Sequence, residues 1–484
     1  MNKKRNLLFY FLMIAVFGTF IYWILKEGAL QHTAGSSSVP SVHQTDPSSS
    51  NNFQLFASNL QHHLSSPLPI LLLQIIVIVL CTRLVGLLFN RIGQPAVIGE
   101  IVAGIILGPS LLGLFFPGIS GFIFPPSSMN NLQFISQVGL ILFMFVVGLE
   151  VDLDIIRKQA FEAVIISHAS IIIPYALGMG LSLFLYEEFA PKNISFLAFS
   201  LFMGIAMSIT AFPVLARIIQ ERGMTKSRLG TLSLTCAASD DVTAWCILAI
   251  LIAIIKAGSS TSAFFSIALV IVFISFMIFL LRPLLERMYI KYSSRKIMQG
   301  IMMPVIFMIL LLSAYATEAI GIHALFGSFL AGVIMPHQLN FRKFVIDKIE
   351  DISKVLFLPL FFAFTGLRTQ IGLLNQGYLW VALGLILLAA VLGKFGGSVI
   401  AARAVGQNWR DSLSIGALMN TRGLMELIVL NIGYDLGILS PEIFAMLVLM
   451  ALITTFMTNP ALNLINATDS KPEVIRRADT GIKV

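Results

Sequence analysis

Thirteen apolar runs succeed one another between residues 68 and 463, each long enough to cross the hydrocarbon core of a bilayer as a helix of about 17 residues or more. They fall at roughly 68–89, 95–115, 132–151, 160–186, 195–215, 228–256, 262–289, 299–317, 320–336, 352–368, 377–403, 411–436 and 441–463. Lipid offers no hydrogen-bonding partner to a backbone, so segments of this length and spacing can only be helices that satisfy their own amides. The fold class is therefore an all-α polytopic membrane protein. The ninth run is short and rich in glycine, which predicts a kinked or tilted helix.

Composition agrees: 57% of the 484 residues are hydrophobic and 12% charged, about half the charged share of soluble domains. The net charge of +8 is no nucleic-acid footprint, because the basic residues fall in short loops between the runs. With the N-terminus inside, the loops holding Arg91, Arg157, Lys158, Arg222, Lys226, Arg228, Arg287, Lys291, Arg295, Lys296, Arg342, Lys343, Lys348 and Arg410 are all cytoplasmic. Lys26, Lys192, Lys256 and Arg368 fall outside. One missed span would invert every later loop, so this bias supports both the count and a cytoplasmic C-terminus; the expected location is an inner membrane. Cys81, Cys236 and Cys246 sit in or beside spans and read as small packing residues.

Ahead of the thirteen runs, residues 1–30 carry Lys3, Lys4 and Arg5 before an apolar stretch and read as a membrane anchor or signal-like helix. Residues 31–66 are a Ser-rich periplasmic linker. The body repeats itself. Ile98 to Ile106 resembles Leu325 to Ile334 with a one-residue slip, and Leu142 to Leu149 resembles Leu360 to Leu367. The matches join the second and third runs to the ninth and tenth. An offset of seven spans gives the copies opposite orientation, so the plan is a first inverted repeat (67–261), a linking helix and loop (262–298), a second repeat (299–464) and a short tail (465–484). Transporters use this plan, with a site at midplane where interrupted helices meet.

Two such interruptions occupy corresponding spans. The fifth run holds Ser208, Thr210 and Pro213, where proline removes a backbone donor and frees the carbonyl of Ile209. The twelfth holds Asn420, Thr421, Arg422, Gly423 and Glu426 in an apolar setting. Arg422 and Glu426 are four apart and can pair on one helix face. Glu100 is expected to bond helix ends or Arg422. We class Glu100, Arg422, Glu426 and Pro213 as structural or gating residues.

The chemistry concentrates in Ser239-Asp240-Asp241 of the sixth run. Each ionised Asp at mid-helix costs roughly 2.5–3.5 kcal/mol to insert, so a cation must make the pair tolerable. Lys394 lies inside the eleventh run, too far from its cytoplasmic end to snorkel there, and needs an internal carboxylate. Carboxylates with hydroxyls and freed carbonyls are hard oxygen ligands suited to Na⁺ or K⁺. A carboxylate that holds either H⁺ or a metal ion, never both, couples their movements by competition, with no enzymatic step and no cofactor. A gated cation channel and an ion-coupled solute symporter on a similar scaffold are the alternatives.

Gln94 to Ser110, Ser208 to Ile218, Ser239 to Trp245 and Asn420 to Ile432 resemble the second branch of the monovalent cation:proton antiporter superfamily, close to the plant cation/H⁺ exchanger-like group. The resemblance covers about 67–463. It implies a thirteen-helix inverted-repeat fold with two crossed broken helices, elevator-type alternating access and a homodimer. The hydrophobic helix at the N-terminus is extra to that fold. Carried over by position, Asp241 matches the ion- and proton-binding aspartate, the site for Na⁺ or K⁺. Asp240 matches the position that is Asp in electrogenic members and Asn or Gln in many relatives. Lys394 matches the lysine that pairs with Asp240, and Thr210 and Ser239 match positions near the ion. The Asp-Asp-Lys set implies electrogenic exchange, with Na⁺ ahead of K⁺ as the substrate; electroneutral K⁺/H⁺ exchange is the alternative. No Gly-x-Gly-x-x-Gly on a strand–helix unit follows the last span, so no nucleotide-binding regulatory domain is expected.

Overall fold

The computed structural model describes residues 66–150, 160–224, 227–256, 260–291, 302–336 and 338–467, with a few isolated positions before these. The expected anchor, nearly all of the linker, most of the tail, and the loop residues Arg157, Lys158, Lys226, Arg295 and Lys296 lie outside the described residues. The described body is one compact unit.

Its helices are α1 (Pro67–Arg91), α2 (Ala96–Leu107), α3 (Leu112–Phe115), α4 (Pro117–Ile123), α5 (Met129–Glu150), α6 (Ala160–Phe189), α7 (Phe196–Ser208), α8 (Phe212–Glu221), α9 (Arg228–Lys256), α10 (Ser260–Ser275), α11 (Arg282–Lys291), α12 (Met303–Ile320), α13 (Ala324–Val333), α14 (Leu339–Ile352), α15 (Leu358–Arg368), α16 (Gly377–Val391), α17 (Gly397–Ala404), α18 (Trp409–Met419), α19 (Leu424–Asp435) and α20 (Pro441–Ala467). Among the described residues there is no strand. Among the described residues eleven helices or joined helices are long and apolar enough to span, and the bent pair α18–α19 makes twelve. The ninth expected run is α13, only 10 residues long, or about 15 Å of helix. Half a bilayer is all it can cross, so the expected tilt or kink is in fact a shortened helix with irregular ends. The tenth span begins earlier than its apolar run, because α14 continues through a π turn (Ser353–Phe357) into α15.

Local chemistry sets the boundaries. Pro67 starts α1 in its first turn, and Gly93 at φ 73° closes the turn after it. Ser195 and Asn408 cap α7 and α18 by accepting from the amides of Ala198 and Asp411. Gly321, at φ 92°, ends α12 in the left-handed conformation that glycine adopts without strain.

Two bundles form. Helices α1, α2 and α5 pack with α12 to α15, and α6 to α9 pack with α16 to α20. The α10–α11 helix, continuous through a π turn at Phe276–Leu281, links the two halves of the chain. Within the first bundle the closest approaches are made by glycine. A Cβ on Gly104 would lie 2.2 Å from the carbonyl oxygen of Ala363, and one on Gly366 would lie 2.4 Å from that of Ile101. A Cβ on Gly148 would lie 2.1 Å from Phe329 O, and one on Gly332 would lie 2.2 Å from Phe145 O. These four glycines occupy matched positions of the repeated stretches. The α2–α15 crossing and the α13–α5 crossing are thus built from equivalent residues. With lipid on the outside, such backbone proximity is a main source of helix association. Leu72, Ile76, Leu80 and Leu84 form an exposed apolar stripe on α1.

Candidate functional site

The two interrupted spans cross. α7 ends at Ser208, residues 209–211 are extended, and α8 begins at Phe212. Pro213 therefore sits in the first turn of α8, where its missing N–H would be unpaired anyway; the break lies before it, not at the carbonyl of Ile209 alone. In the partner span, α18 ends at Met419 and α19 begins at Leu424. The Ala211 amide donates to Thr421 O at 3.1 Å, and the Thr210 hydroxyl donates to Met419 O at 3.3 Å. These bonds stitch the two breaks together.

A half-helix ending inside a protein leaves carbonyls with no partner and a partial negative charge. Two buried cations serve the end of α7. Arg422 donates to Ala206 O at 3.1 Å and Met207 O at 2.7 Å, and Lys394 donates to Ser208 O. Arg422 also pairs with Glu426 at 3.1 Å, both fully buried. Thr455 on α20 accepts from the Arg422 amide and donates to its carbonyl.

Asp240 and Asp241 lie on α9, and about 100° per residue sends their side chains in different directions. Asp240 is completely satisfied. Ser167 donates to Oδ1 at 2.6 Å, while Ser170 and Thr210 donate to Oδ2 at 2.7 Å each. Lys394 Nζ stands 3.1 Å from Oδ2 and also donates to Ser170 O at 2.9 Å. Both side chains are fully buried. Lys394 belongs to a π turn, Leu392–Gly396, between α16 and α17; such turns re-aim side chains at functional sites.

Asp241 is 1% exposed and neither carboxylate oxygen has a hydrogen-bond partner. The Phe212 N–H, first of α8, faces it. A buried carboxylate left unpaired is too costly to keep as a bare charge. The position fits a proton or a hard monovalent cation, with the positive end of a half-helix nearby.

The structure brings together Asp240, Lys394 and Thr210, and Arg422 with Glu426. Two expected placements differ. Glu100 does not bond Arg422, whose carboxylate partner is Glu426; it is half-buried and lines a cavity with Arg83 and Arg217. Ser239 is half-buried, and its carbonyl, not its hydroxyl, is engaged, by Thr243. Sequence reasoning missed Ser167 and Ser170. Their i, i+3 spacing puts two hydroxyls on one face of an otherwise apolar span, and that signal was readable. Thr455 and Thr458 on α20, the latter 3.2 Å from the Thr421 hydroxyl, carried no such pattern.

The cavity that Glu100 lines measures about 580 Å³ and opens among the ends of α1, α2, α5 and α8, reaching Pro213, Val214 and Leu424 at the crossing. At the other end of the bundle seam, beside Gln133, Ser136 and Arg368, the free volume is about 20 Å³. An 840 Å³ basin beyond it, lined by Glu188, Tyr434 and Glu442, lies among loops of the second bundle.

Residues 75–464 match the family model described as sodium/hydrogen exchanger, transmembrane. The chain belongs to the sodium/hydrogen exchanger family. This places it in the monovalent cation:proton antiporter superfamily that its motifs resembled. It is 45% identical over 397 residues to the Na(+)/H(+) antiporter NhaS4 of Synechocystis, covering 82% of this chain and 97% of that protein. It is 41% identical over 406 residues to Cation/H(+) antiporter 17 of Arabidopsis thaliana, covering 83% of this chain and 49% of that protein; it thus spans about half the length of that plant relative. The fold resembles that of the sodium proton antiporter MjNhaP1 from Methanocaldococcus jannaschii. The TM-score is 0.60 at 15% identity, over 83% of this chain and 98% of that one.

Proposed function

We propose that this chain is a secondary active antiporter that exchanges a monovalent cation, Na⁺ ahead of K⁺, for H⁺. The observation that carries the reading is the contrast between adjacent carboxylates: Asp240 has four side-chain donors, whereas Asp241 has no hydrogen-bond partner within reach and faces only the Phe212 N–H. Asp241 holds the transported cation or a proton, one excluding the other. Thr210 and Ser239 stand beside the carboxylates that frame the ion. Arg422 and Glu426 hold the two breaks in register, Pro213 starts the half-helix aimed at the ion, and Glu100 lies on the path from the cavity. The second bundle moves against the first to expose Asp241 alternately to each side, as an elevator. The basic loops face the cytoplasm, as does the C-terminus, in the inner membrane, and the cavity reaching Pro213 is the inward vestibule. Exposed α1 is the face for a second copy in a homodimer.

Charge balance turns on the Asp240–Lys394 pair. If a bound cation frees Asp240 from Lys394, more than one proton exchanges per cation and transport is electrogenic. The second reading is electroneutral K⁺/H⁺ exchange. It draws support from the donors that fully occupy Asp240, which leave Asp241 as the one unpartnered carboxylate of the two, and from 34% identity to K(+)/H(+) antiporter 1 of Saccharomyces cerevisiae. The test is Na⁺- and K⁺-induced dequenching of a pH-sensitive dye in proteoliposomes, with Asp241→Asn as control and membrane voltage clamped at two values. Exchange that survives in Asp241→Asn overturns the reading; a voltage-independent rate selects the electroneutral form.

A further inference from the structure

The narrow end of the seam is closed by two layers of contacts between the bundles. The deeper layer is aromatic. Trp245, one helical turn beyond Asp241 on α9, is 1% exposed and stacks on Phe329 of α13, with ring centroids 6.1 Å apart and planes 23° apart. The shallower layer is polar. Arg368, at the end of α15, donates to Asn431 Oδ1 at 3.1 Å and to Asp435 Oδ1 at 2.5 Å, both on α19. Its guanidinium lies 4.5 Å from the ring centre of Tyr434 and 5.2 Å from that of Phe364. Gln133 of α5 donates to the second oxygen of Asp435 at 3.1 Å, and Asn431 donates to Thr365 at 2.8 Å. Gln133, Thr365 and Arg368 belong to one bundle, while Asn431, Tyr434 and Asp435 belong to the other.

We propose that this is the outward gate: an Arg368–Asp435 latch over a Trp245–Phe329 plug, which must part before Asp241 can be reached from that side. The inference rests on the alternating-access reading above. A charge-assisted, forked contact between rigid helix ends, further held by aromatic stacking, suits a latch because it is made in one geometry and lost as a unit. Among the described residues the space beside the latch, lined by Ser136, Leu140 and Ile428, is only about 20 Å³; the 840 Å³ basin that Tyr434 lines does not include these residues, whereas at the other end about 580 Å³ reaches the crossing at Pro213 and Leu424. The Trp245 Nε1 has no partner in the closed arrangement, so the plug holds by packing alone.

The experiment places a thiol at Ser136, which is 1% exposed and lines the small cavity under the latch. The background replaces Cys81, Cys236 and Cys246 by serine or alanine. The full chain is put in lipid nanodiscs and treated with a positively charged trimethylammonium thiosulfonate. Ser136→Cys is expected to react slowly with the latch intact and about tenfold faster with Asp435→Asn or Arg368→Gln, the change that weakening one state by a factor of ten produces. The charge swap Arg368→Asp with Asp435→Arg should return the rate toward its starting value. An unchanged rate in both single variants overturns the gate. Dye dequenching on the same proteins separates the two readings. Faster labelling without any exchange in the parent keeps the gate and sinks antiport, whereas exchange with unchanged labelling does the reverse.

Discussion

Lys394 Nζ sits 3.1 Å from Asp240 Oδ2 with both side chains withdrawn from solvent, while Asp241, the next residue in the chain, has no hydrogen-bond partner. The pair is a structural fixture and its neighbour is the open valence. This division of labour sets out how each residue should respond to substitution.

Asp241→Asn keeps the shape of the site and removes the carboxylate whose oxygens have no partner. Cation-induced proton movement in proteoliposomes should fall to the level of protein-free vesicles, with unchanged membrane abundance. Size-exclusion behaviour in detergent checks that the variant is folded.

Asp240→Asn leaves the Lys394 ammonium buried without its counter-charge, a change that costs about 3–5 kcal/mol when one partner of a buried pair is removed. The thermal denaturation midpoint of the purified protein should drop clearly. The double variant Asp240→Asn with Lys394→Gln should recover most of the loss, since no charge is then stranded. If the single and double variants melt alike, the pair is not what holds α9 to α16 and α17.

Competition at one carboxylate fixes the direction of the pH response. Under the proposed exchange, protons occupy Asp241 as pH falls and the cation must displace them. The apparent KM for Na⁺ should therefore rise, by up to about tenfold per pH unit for a single competing proton, with little change in the rate at saturating Na⁺. An apparent KM that stays flat between acidic and alkaline buffers would count against a shared site.

The glycine crossings should be intolerant of a methyl group. Gly104→Ala puts a Cβ 2.2 Å from Ala363 O, against backbone that cannot turn aside, and overpacking of this kind typically costs about 1–3 kcal/mol. Gly180→Ala on α6 meets nothing within 4 Å and serves as the neutral control. Denaturation midpoints of the two variants should separate clearly, the first below the parent and the second equal to it or above.

Some features were legible because they depend on local chemistry. The length of the apolar runs dictates helices, since lipid permits little else. Asp240, Asp241 and Lys394 announced themselves as charges where charges are costly, and the two polar breaks stood at matching places in a repeated pattern. Other features were not. The shortness of α13 was hidden because Ile320, Ile322 and Ile334 extend its apolar run beyond the helix itself. The Arg422–Glu426 pair followed from i,i+4 spacing, but the place of Glu100 did not: only packing selected Arg83 and Arg217 as its neighbours in the cavity.

By itself, the sequence determined that the chain spans a membrane as helices, and it showed repeated stretches in the two halves and three charged residues, Asp240, Asp241 and Lys394, inside spans. Hydropathy, periodicity and the cost of buried charge act along the chain and can be read there. Tertiary structure alone decided which aspartate is satisfied. Ser167 and Ser170 on α6, Thr210 in the break between α7 and α8, and Lys394 in the π turn between α16 and α17 all reach Asp240. A rotation of about 100° along α9 takes Asp241 past all of them. Two identical side chains, adjacent in sequence, differ in their bonding because hydrogen bonds are directional and only one of them faces the four side-chain donors.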